Sequence, residues 1–303
     1  MVFLFVLFAD ASFFCKMKNY EEQLQHLINE ALCEDVGDGD YTTLSCIPVE
    51  KTGKAVLKIK QDGILAGVDV AKKIFFHVEE SSVFSAFKTD GDKIQDGEKA
   101  FEVEAHIHTI LKCERLVLNC MQRMSGIATK THQYADKIKR FKTRLLDTRK
   151  TTPNFRLLEK EAVRMGGGVN HRFGLDDMLM LKDNHIDYCG SIEKAIDKAW
   201  RFVQMKNPDL KIEIETRNLD EVKQVYKAGQ RKVFRIMMDN FKPEDITKAL
   251  DLIQDEFETE ASGGINLDNI ETYAATGVDF ISVGALITQA QNLDLSLKAV
   301  ILS

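Results

Sequence analysis

The first part of the chain alternates between helical and extended patterns of apolar residues. Leu24, Leu27, Ile28, Ala31 and Leu32 recur at three- and four-residue spacing, which predicts an amphipathic helix between residues 20 and 33. Around residues 54–60 and 101–108, apolar and polar positions alternate, as in strands with one buried and one wet face. Asp-Gly turn signals separate these runs. The pattern predicts an antiparallel sheet with helices on one side, followed by a long helix from about residue 109 to 129.

Beyond residue 129 the pattern becomes regular, because short apolar strands alternate with amphipathic helices. We predict strands near residues 144–146, 178–181, 211–214, 233–238, 257–261 and 280–283. Between them, helices are predicted at residues 155–165, 192–204, 219–227, 243–253 and 267–275. Repeated βα units imply a parallel sheet, and six or seven of them indicate a barrel, closed or incomplete. The predicted fold class is therefore α/β.

The two patterns divide the chain into a first domain at residues 17–128 and a barrel at residues 129–289. We expect a C-terminal helix at about 290–303 to pack back on the first domain. Residues 1–16 are expected to be an extension outside both domains. Their apolar run resembles a signal peptide, but no Lys or Arg precedes it, and it is too short to span a bilayer. Asn19 and Glu22 can form a capping box just after Met17, so we expect the natural start at Met17.

Composition narrows the functional class. The 303 residues include 44% hydrophobic and 29% charged residues, which is typical of a soluble globular protein. The net charge of -6 argues against a nucleic-acid binder, so any bound anion requires a local basic cluster. The six cysteines include no CxxC pair, which is typical of reduced thiols in a cytoplasmic enzyme.

Polar side chains follow nearly every predicted strand of the barrel. Arg149 and Lys150 follow the first strand, Lys182 the second, Glu215 the third and Asp239 the fourth. The carboxyl ends of barrel strands converge on one mouth, where βα barrels build their active sites. The sequence therefore predicts an active site at this mouth.

The predicted site has a cationic half and an acidic half. Its cationic residues can surround an anion with several charges, and arginine suits carboxylates; these residues are Arg149, Lys150, His171, Arg172 and Lys182. Glu215 and Asp239 can accept ribose hydroxyls, hold Mg²⁺, face a developing cation or balance the basic cluster.

Glycines at two late strand ends predict a phosphate seat. Ser262-Gly263-Gly264 precedes a helix expected at Leu267, and Gly284 repeats the arrangement on the next unit. Glycine lets a phosphate approach the backbone, and a helix N-terminus supplies free N–H groups. A separate run of three glycines at 166–168 predicts a mobile or tightly folded loop that delivers His171 and Arg172.

Six motifs together resemble one enzyme family. They are similar to segments of quinolinate phosphoribosyltransferases, also called carboxylating nicotinate-nucleotide pyrophosphorylases. The six segments are Leu146–Pro153, Gly166–Arg172, Leu181–His185, Met238–Asn240, Glu260–Gly264 and Ser282–Ala285. The resemblance runs in order from about Asn19 to the C-terminus, with spacing like that of the family.

The resemblance implies an N-terminal α/β sandwich domain plus a C-terminal incomplete, open β/α barrel. It also implies a homodimer, or a higher oligomer, in which one subunit's sandwich covers the partner's barrel mouth and the active sites are shared. The implied reaction joins quinolinate to phosphoribosyl pyrophosphate with Mg²⁺, giving nicotinate mononucleotide, pyrophosphate and CO₂ in de novo NAD biosynthesis.

The family's functional positions transfer residue by residue. Quinolinate binding is implied for Arg115, donated by the neighbouring subunit, and for Arg149, His171, Arg172 and Lys182. Lys150 matches a lysine near phosphoribosyl pyrophosphate, and Glu215 and Asp239 match the ribose and metal carboxylates. The catalytic set is then Lys150, Lys182, Glu215 and Asp239, and the 5′-phosphate seat is Ser262, Gly263, Gly264 and Gly284. One departure is Thr288, which stands where family members often have histidine, so an imidazole contact there is in doubt.

Three alternatives compete with this hypothesis. The first is a related transferase that acts on nicotinate, although the set of five cations that includes Arg115 favours a dicarboxylate. The second is a barrel lyase that uses Lys150 or Lys182 as a Schiff-base nucleophile. The third is a catalytically inactive binding protein, against which the combination of Lys150, Lys182, Glu215 and Asp239 argues.

Overall fold

The computed structural model describes residues 19–300. The predictions for residues 1–16 and for a start at Met17 lie outside the described residues. The side chain of Asn19 caps the first helix by accepting a hydrogen bond from the backbone N–H of Glu22 at 2.9 Å, which satisfies one of the helix's free donors. Among the described residues, no helix combines the length and the apolar character that crossing a lipid bilayer requires.

The first part of the chain is an antiparallel sheet covered by helices. Its helices are α1 Tyr20–Val36, α2 Tyr41–Cys46, α3 Val68–Val78 and α4 Ile107–Ile138. Its strands are β1 Thr52–Ile59, β2 Gly63–Ile64, β3 Val83–Ala86, β4 Lys93–Ile94 and β5 Lys99–His106. The long helix α4 extends the predicted helix at both ends, so it runs from the first domain into the region predicted for the second.

The second part consists of alternating strands and helices. Its strands are β6 Arg144–Leu146, β7 Leu179–Leu181, β8 Ile212–Thr216, β9 Arg235–Asp239, β10 Glu258–Ser262 and β11 Phe280–Ser282. Its helices are α5 Arg156–Met165, α6 Asp183–Cys189, α7 Ile192–Lys206, α8 Leu219–Ala228, α9 Pro243–Ile253, α10 Ile270–Ala274 and α11 Ala285–Thr288. The last strand is β12 Leu295–Val300.

The six strands β6 to β11 form one parallel sheet in the order β6-β11-β10-β9-β8-β7. No strand pairing joins β6 to β7 among the described residues, so the barrel is open at this point, as predicted. The loop that follows α5 fills the opening. Val169 in this loop pairs with Leu145 and Asp147 by backbone hydrogen bonds of 2.8 and 3.1 Å. This pairing directs His171 and Arg172, which follow Val169 closely in the loop, toward the mouth of the barrel.

The predicted C-terminal helix at about 290–303 is wrong over residues 295–300, which form the strand β12. Strand β12 pairs antiparallel with β1 and lies at the edge of a four-stranded sheet in the order β12-β1-β5-β3. In β12, Leu295 and Leu297 are buried, whereas Lys298 faces solvent. This is the alternation of a half-buried strand. The segment does pack back on the first domain, as a strand rather than a helix.

A glycine in α4 permits this return. The connection between α11 and β12 passes so close to Gly126 that a Cβ there would overlap the carbonyl group of Gln291. Arg123, one turn earlier, donates hydrogen bonds to the carbonyls of Ile287 and Ala290, each at 2.9 Å. Helix α4 therefore holds the end of the barrel against the first domain.

Candidate active site

A cavity of about 840 Å³ lies at the carboxyl ends of the barrel strands. It is lined by every predicted site residue except Arg115, namely Arg149, Lys150, His171, Arg172, Lys182, Glu215, Asp239, Ser262, Gly263, Gly264 and Gly284. The cations and the carboxylates that follow separate strands therefore meet in one space.

The two arginines of the cavity lie close enough for their positive charges to repel each other. Burial, and then the positive charge of Arg149, lower the pKa of Arg172. The Arg172 guanidinium donates to the carbonyl of Met178 at 3.1 Å, which orients it. The Nε atom of Arg149 is buried and has no hydrogen-bond partner among the described residues. An unpaired buried donor is costly, so this arrangement suits a carboxylate that arrives with the ligand.

The acidic half lies on neighbouring strands. Lys182, at the end of β7, donates from Nζ to Oε2 of Glu215 at 2.9 Å, across to the end of β8. Burial, and then the negative charge of Glu215, raise the pKa of Asp239 at the end of β9. Asp239 accepts a hydrogen bond from the side-chain amide of Asn240 at 2.7 Å. Two mutually repelling carboxylates with only oxygen donors fit a hard cation such as Mg²⁺.

The glycine loop after β10 is shaped by its backbone. Gly263 and Gly264 have φ values of 89° and 65°, which few other residues adopt, and a Cβ on Gly263 would overlap the side chain of Asn240. The helix expected at Leu267 begins only at Ile270, because the side chain of Asn269 binds the backbone of Asn266 and Gly264 first. A helix dipole therefore does not act directly at the glycines.

Lys150 connects the basic residues to the second glycine. A Cβ on Gly284 would lie 3.1 Å from Cδ of Lys150 and 3.9 Å from its Nζ, so the lysine passes directly over Gly284. Thr288 also lines the cavity, and its hydroxyl donates to the carbonyl of Gly284 at 3.1 Å. The threonine that replaces the family's usual histidine thus binds its own short helix.

His171 lines the cavity, and both of its ring nitrogens lie near other protein groups. Its Nδ1 accepts a hydrogen bond from the backbone N–H of Arg172 at 2.7 Å. Its Nε2 lies 3.0 Å from Oε2 of Glu213 and 3.4 Å from Oε2 of Glu260. The two carboxylates favour the charged imidazole, whereas the Arg172 N–H favours a bare Nδ1. Burial alone would lower the pKa of His171, but the contacts with Glu213 and Glu260 outweigh burial and raise it to about 9.

The two glutamates below the cavity complete a buried ionic layer. Glu213 and Glu260 are fully buried, and the guanidinium of Arg235 lies 3.1 Å from Glu260 and 3.9 Å from Glu213. Burial, and then the charge of Glu260, raise the pKa of Glu213 to about 7. The ligand atoms of His171, Glu213 and Glu260 are close enough to hold a cation, but Arg235 already supplies a counter-charge there.

Sequence reasoning missed this layer. Glu213 stands two residues before Glu215 on β8, so the two side chains share the face toward the barrel interior. A charged residue inside an otherwise apolar strand was the available signal. Arg115 lies on an exposed part of α4 and does not line the cavity. Its role at the site of a neighbouring subunit stays a prediction.

Two family models match the chain. Residues 40–125 match the model described as "Quinolinate phosphoribosyl transferase, N-terminal domain", and residues 127–298 match the corresponding C-terminal domain. The chain belongs to the quinolinate phosphoribosyltransferase family. Membership gives the chain the enzymatic activity EC 2.4.2.19, quinolinate phosphoribosyl transfer in de novo NAD biosynthesis. The family, fold class and activity predicted from the sequence are confirmed.

Members of this family from distant organisms resemble the chain over most of its length. The chloroplastic nicotinate-nucleotide pyrophosphorylase [carboxylating] of Arabidopsis thaliana is 43% identical over 288 residues, covering 91% of this chain and 82% of the plant protein. A probable nicotinate-nucleotide pyrophosphorylase [carboxylating] of Bacillus subtilis is 40% identical, covering 91% and 93%. The solved structure of the nicotinate-nucleotide pyrophosphorylase from Francisella tularensis is 37% identical, with a TM-score of 0.84 over 93% and 97% of the two chains.

Proposed function

We propose that the cavity at the barrel mouth is where this chain carries out quinolinate phosphoribosyl transfer. The observation that carries this proposal is the common cavity of Arg149, Arg172 and Lys182, opposite Glu215 and Asp239. Quinolinate brings two adjacent negative charges, and phosphoribosyl pyrophosphate brings a sugar and phosphates. A cationic half that faces an acidic half matches both substrates at once.

In this proposal, the two arginines grip the pyridine dicarboxylate. The buried, unpaired Nε of Arg149 offers a donor, and the Arg172 guanidinium offers a second fork close by. Two guanidinium groups match two carboxylates, whereas a monocarboxylate such as nicotinate leaves one of them without a counter-charge. His171 lines the same cavity as a further quinolinate-binding residue, and its Nδ1 accepts a hydrogen bond from the backbone N–H of Arg172. Arg115 of a neighbouring subunit adds a further cation.

The glycine segments are proposed to seat the 5′-phosphate. Ser262, Gly263, Gly264 and Gly284 line the same cavity, and apart from the short serine they carry no side chain that would block a phosphate. Lys150 passes over Gly284, where its ammonium can reach the phosphoribosyl substrate. With the substrates bound in this way, the anomeric carbon would lie between the pyridine nitrogen and the two carboxylates.

The reaction begins when the bond between the anomeric carbon and pyrophosphate breaks. Positive charge develops on the ribose, and Glu215 and Asp239 stabilise it. The pyridine nitrogen then forms its bond to this carbon, and the ring gains a positive charge. The electrons of the bond to the adjacent carboxylate can now move into the ring, so CO₂ leaves and a proton takes its place. Lys182 orients that carboxylate.

Mg²⁺ fits the oxygen donors of Glu215 and Asp239 and would offset negative charge on the leaving pyrophosphate. We further propose a homodimer with shared sites, since Arg115 is exposed on α4 and does not line this chain's own cavity. A cytoplasmic location is supported by Cys33, Cys46, Cys113, Cys120 and Cys189, which are all free thiols.

The test is release of labelled CO₂ from the carboxyl group beside the ring nitrogen of quinolinate, with and without phosphoribosyl pyrophosphate. We expect release only when both substrates are present, and no comparable turnover with nicotinate. Arg149→Ala should raise the KM for quinolinate about 10- to 150-fold and lower turnover, as expected for a lost hydrogen bond to a charged group worth about 1.5–3 kcal/mol.

The matched control is Arg201→Ala, which removes an exposed arginine from α7. Unchanged kinetics in Arg149→Ala would refute the arginine's assignment. Borohydride trapping of a carbonyl substrate on Lys150 or Lys182 would instead support the lyase.

A further inference from the structure

A buried ion pair behind the cavity has no part in the reaction described above. Lys160 on α5 is 1% exposed and Asp147, which follows β6, is 0% exposed. The Lys160 Nζ lies 2.5 Å from Oδ1 of Asp147. Neither residue lines the cavity. Burial, the largest influence, raises the pKa of Asp147 and lowers that of Lys160, so each charge is costly to place here.

The pair clamps the backbone of the loop that carries Arg172. Asp147 Oδ1 accepts a hydrogen bond from the backbone N–H of His171 at 2.8 Å, and Lys160 Nζ donates to the carbonyl of the same residue at 3.0 Å. With its amide oriented to satisfy its neighbours, Asn170 donates to the other oxygen of Asp147 at 2.9 Å. The backbone N–H and the backbone carbonyl of His171 are therefore both bound by one ion pair.

The position of the clamp in the sequence gives it a second consequence. Asp147 stands two residues before Arg149, and His171 stands one residue before Arg172. The ion pair thus joins the two separate segments that carry the two guanidinium groups. Because these like charges repel, something rigid has to hold them together in the absence of an anion. An apolar pair of the same size would fill the space without binding the His171 backbone.

We propose that Asp147 and Lys160 are positioning residues that fix the separation of Arg149 and Arg172, and thereby set the preference for a 1,2-dicarboxylate over a monocarboxylate. This inference rests on the proposed function of the cavity. It concerns the quinolinate side of the site, since the proposed 5′-phosphate seat is built from residues at the ends of β10 and β11.

The experiment compares substrate constants in the variants Lys160→Met and Asp147→Asn/Lys160→Met. The double variant is neutral and close in size to the natural pair, so it carries the test if the single variant does not fold. We expect the KM for quinolinate to rise at least tenfold, with the KM for phosphoribosyl pyrophosphate within twofold of wild type. The ratio of kcat/KM for quinolinate to that for nicotinate should fall by a similar factor.

The matched control is Asp136→Asn/Lys139→Met, which removes an exposed Asp–Lys pair from α4. Lys160→Arg should recover part of the quinolinate affinity, because it restores the charge with a longer reach. A quinolinate KM that stays within twofold of wild type, or an equal rise in both KM values, overturns the inference. If wild-type protein itself releases no CO₂ from quinolinate, the proposed function fails instead, and the two failures are distinguishable.

Discussion

Lys182 and Glu215 form an ion pair across the mouth of the barrel, with Nζ 2.9 Å from Oε2. The pair joins the half of the site proposed for quinolinate to the half proposed for ribose. Since Lys182 is half exposed and Glu215 mostly buried, an incoming carboxylate can take over a donor of the lysine without expelling a buried charge.

This pair leads to the first prediction. Replacing Lys182 with methionine should lower kcat/KM for quinolinate about 10- to 150-fold, because it removes a hydrogen bond to a charged group. The KM for phosphoribosyl pyrophosphate should change less than about threefold, since Lys182 is not proposed to bind the phosphates of that substrate. Steady-state kinetics with each substrate varied in turn measure both effects. Lys198→Met, an exposed lysine on α7, is the control, and equal losses for both substrates would contradict the division of the site.

The second prediction concerns the metal. Mg²⁺ at tenfold its dissociation constant should stabilise the folded protein by about 1.4 kcal/mol, or raise Tm by about 2–4 °C. Glu215→Gln/Asp239→Asn should abolish that shift, because both candidate ligands lose their charge. Thermal unfolding with and without Mg²⁺ provides the measurement. Glu193→Gln/Asp209→Asn removes two exposed carboxylates as a control, and a shift that persists in the site variant would place the metal elsewhere.

The third prediction concerns pH and the first domain. Glu79 accepts from the backbone N–H of His106 at 3.1 Å and lies 2.8 Å from its Nδ1. Burial alone would raise the pKa of Glu79, but hydrogen bonds from Thr109 and His106 outweigh burial and lower it. A lowered carboxyl pKa contributes stability above the ordinary value of about 4.3, and that stability is lost as the pH falls through the folded value.

Glu79→Gln should therefore reduce the free energy of unfolding by about 1 kcal/mol at pH 7. The difference from wild type should begin to shrink below about pH 4.3 and should disappear below the lowered folded pKa, where the glutamate itself is neutral. Urea unfolding at pH 7 and at the lower pH measures this difference in the free energy of unfolding. Glu80→Gln changes the exposed neighbour and is the control. A difference that is independent of pH would show that charge is not the cause.

The fourth prediction tests the corrected C-terminal strand. Leu297 is 5% exposed and pairs in register with Leu57 of β1. Leu297→Ala should cost about 2–5 kcal/mol of unfolding free energy, as large-to-small changes in a core do. Lys298→Ala, at the exposed position beside it, should cost little. Similar stabilities of the two variants would argue against a buried β12.

Local patterns were sufficient for most of the barrel. The helix predicted at 243–253 has those bounds, because Pro243 at its first turn and an apolar stripe are both local signals. The active-site residues were found because they follow strands, and strand ends converge. The helix predicted from Leu267 begins only at Ile270, because the side chain of Asn269 binds the backbone of Asn266 and delays its start.

The features that sequence reasoning missed depend on partners that are distant in the chain. Leu295 and Leu297 alternate with polar residues, but the pairing that makes them a strand is with β1. Glu260 and Arg235 are buried charges whose partners lie on other strands, so their spacing shows no pattern. The Asp147–Lys160 pair is hidden for the same reason.

The strand order of the first sheet has a consequence for synthesis on the ribosome. Strand β1 pairs with β12, whose residues lie about 250 positions later in the chain. At roughly 5–20 residues per second, the nascent β1 edge waits about 10–50 s for its neighbour. An open edge of this kind invites pairing with other chains, and lysine side chains discourage such pairing. Lys54 and Lys58 on β1 are side chains of this kind, and the first domain of the chain is the last to be completed.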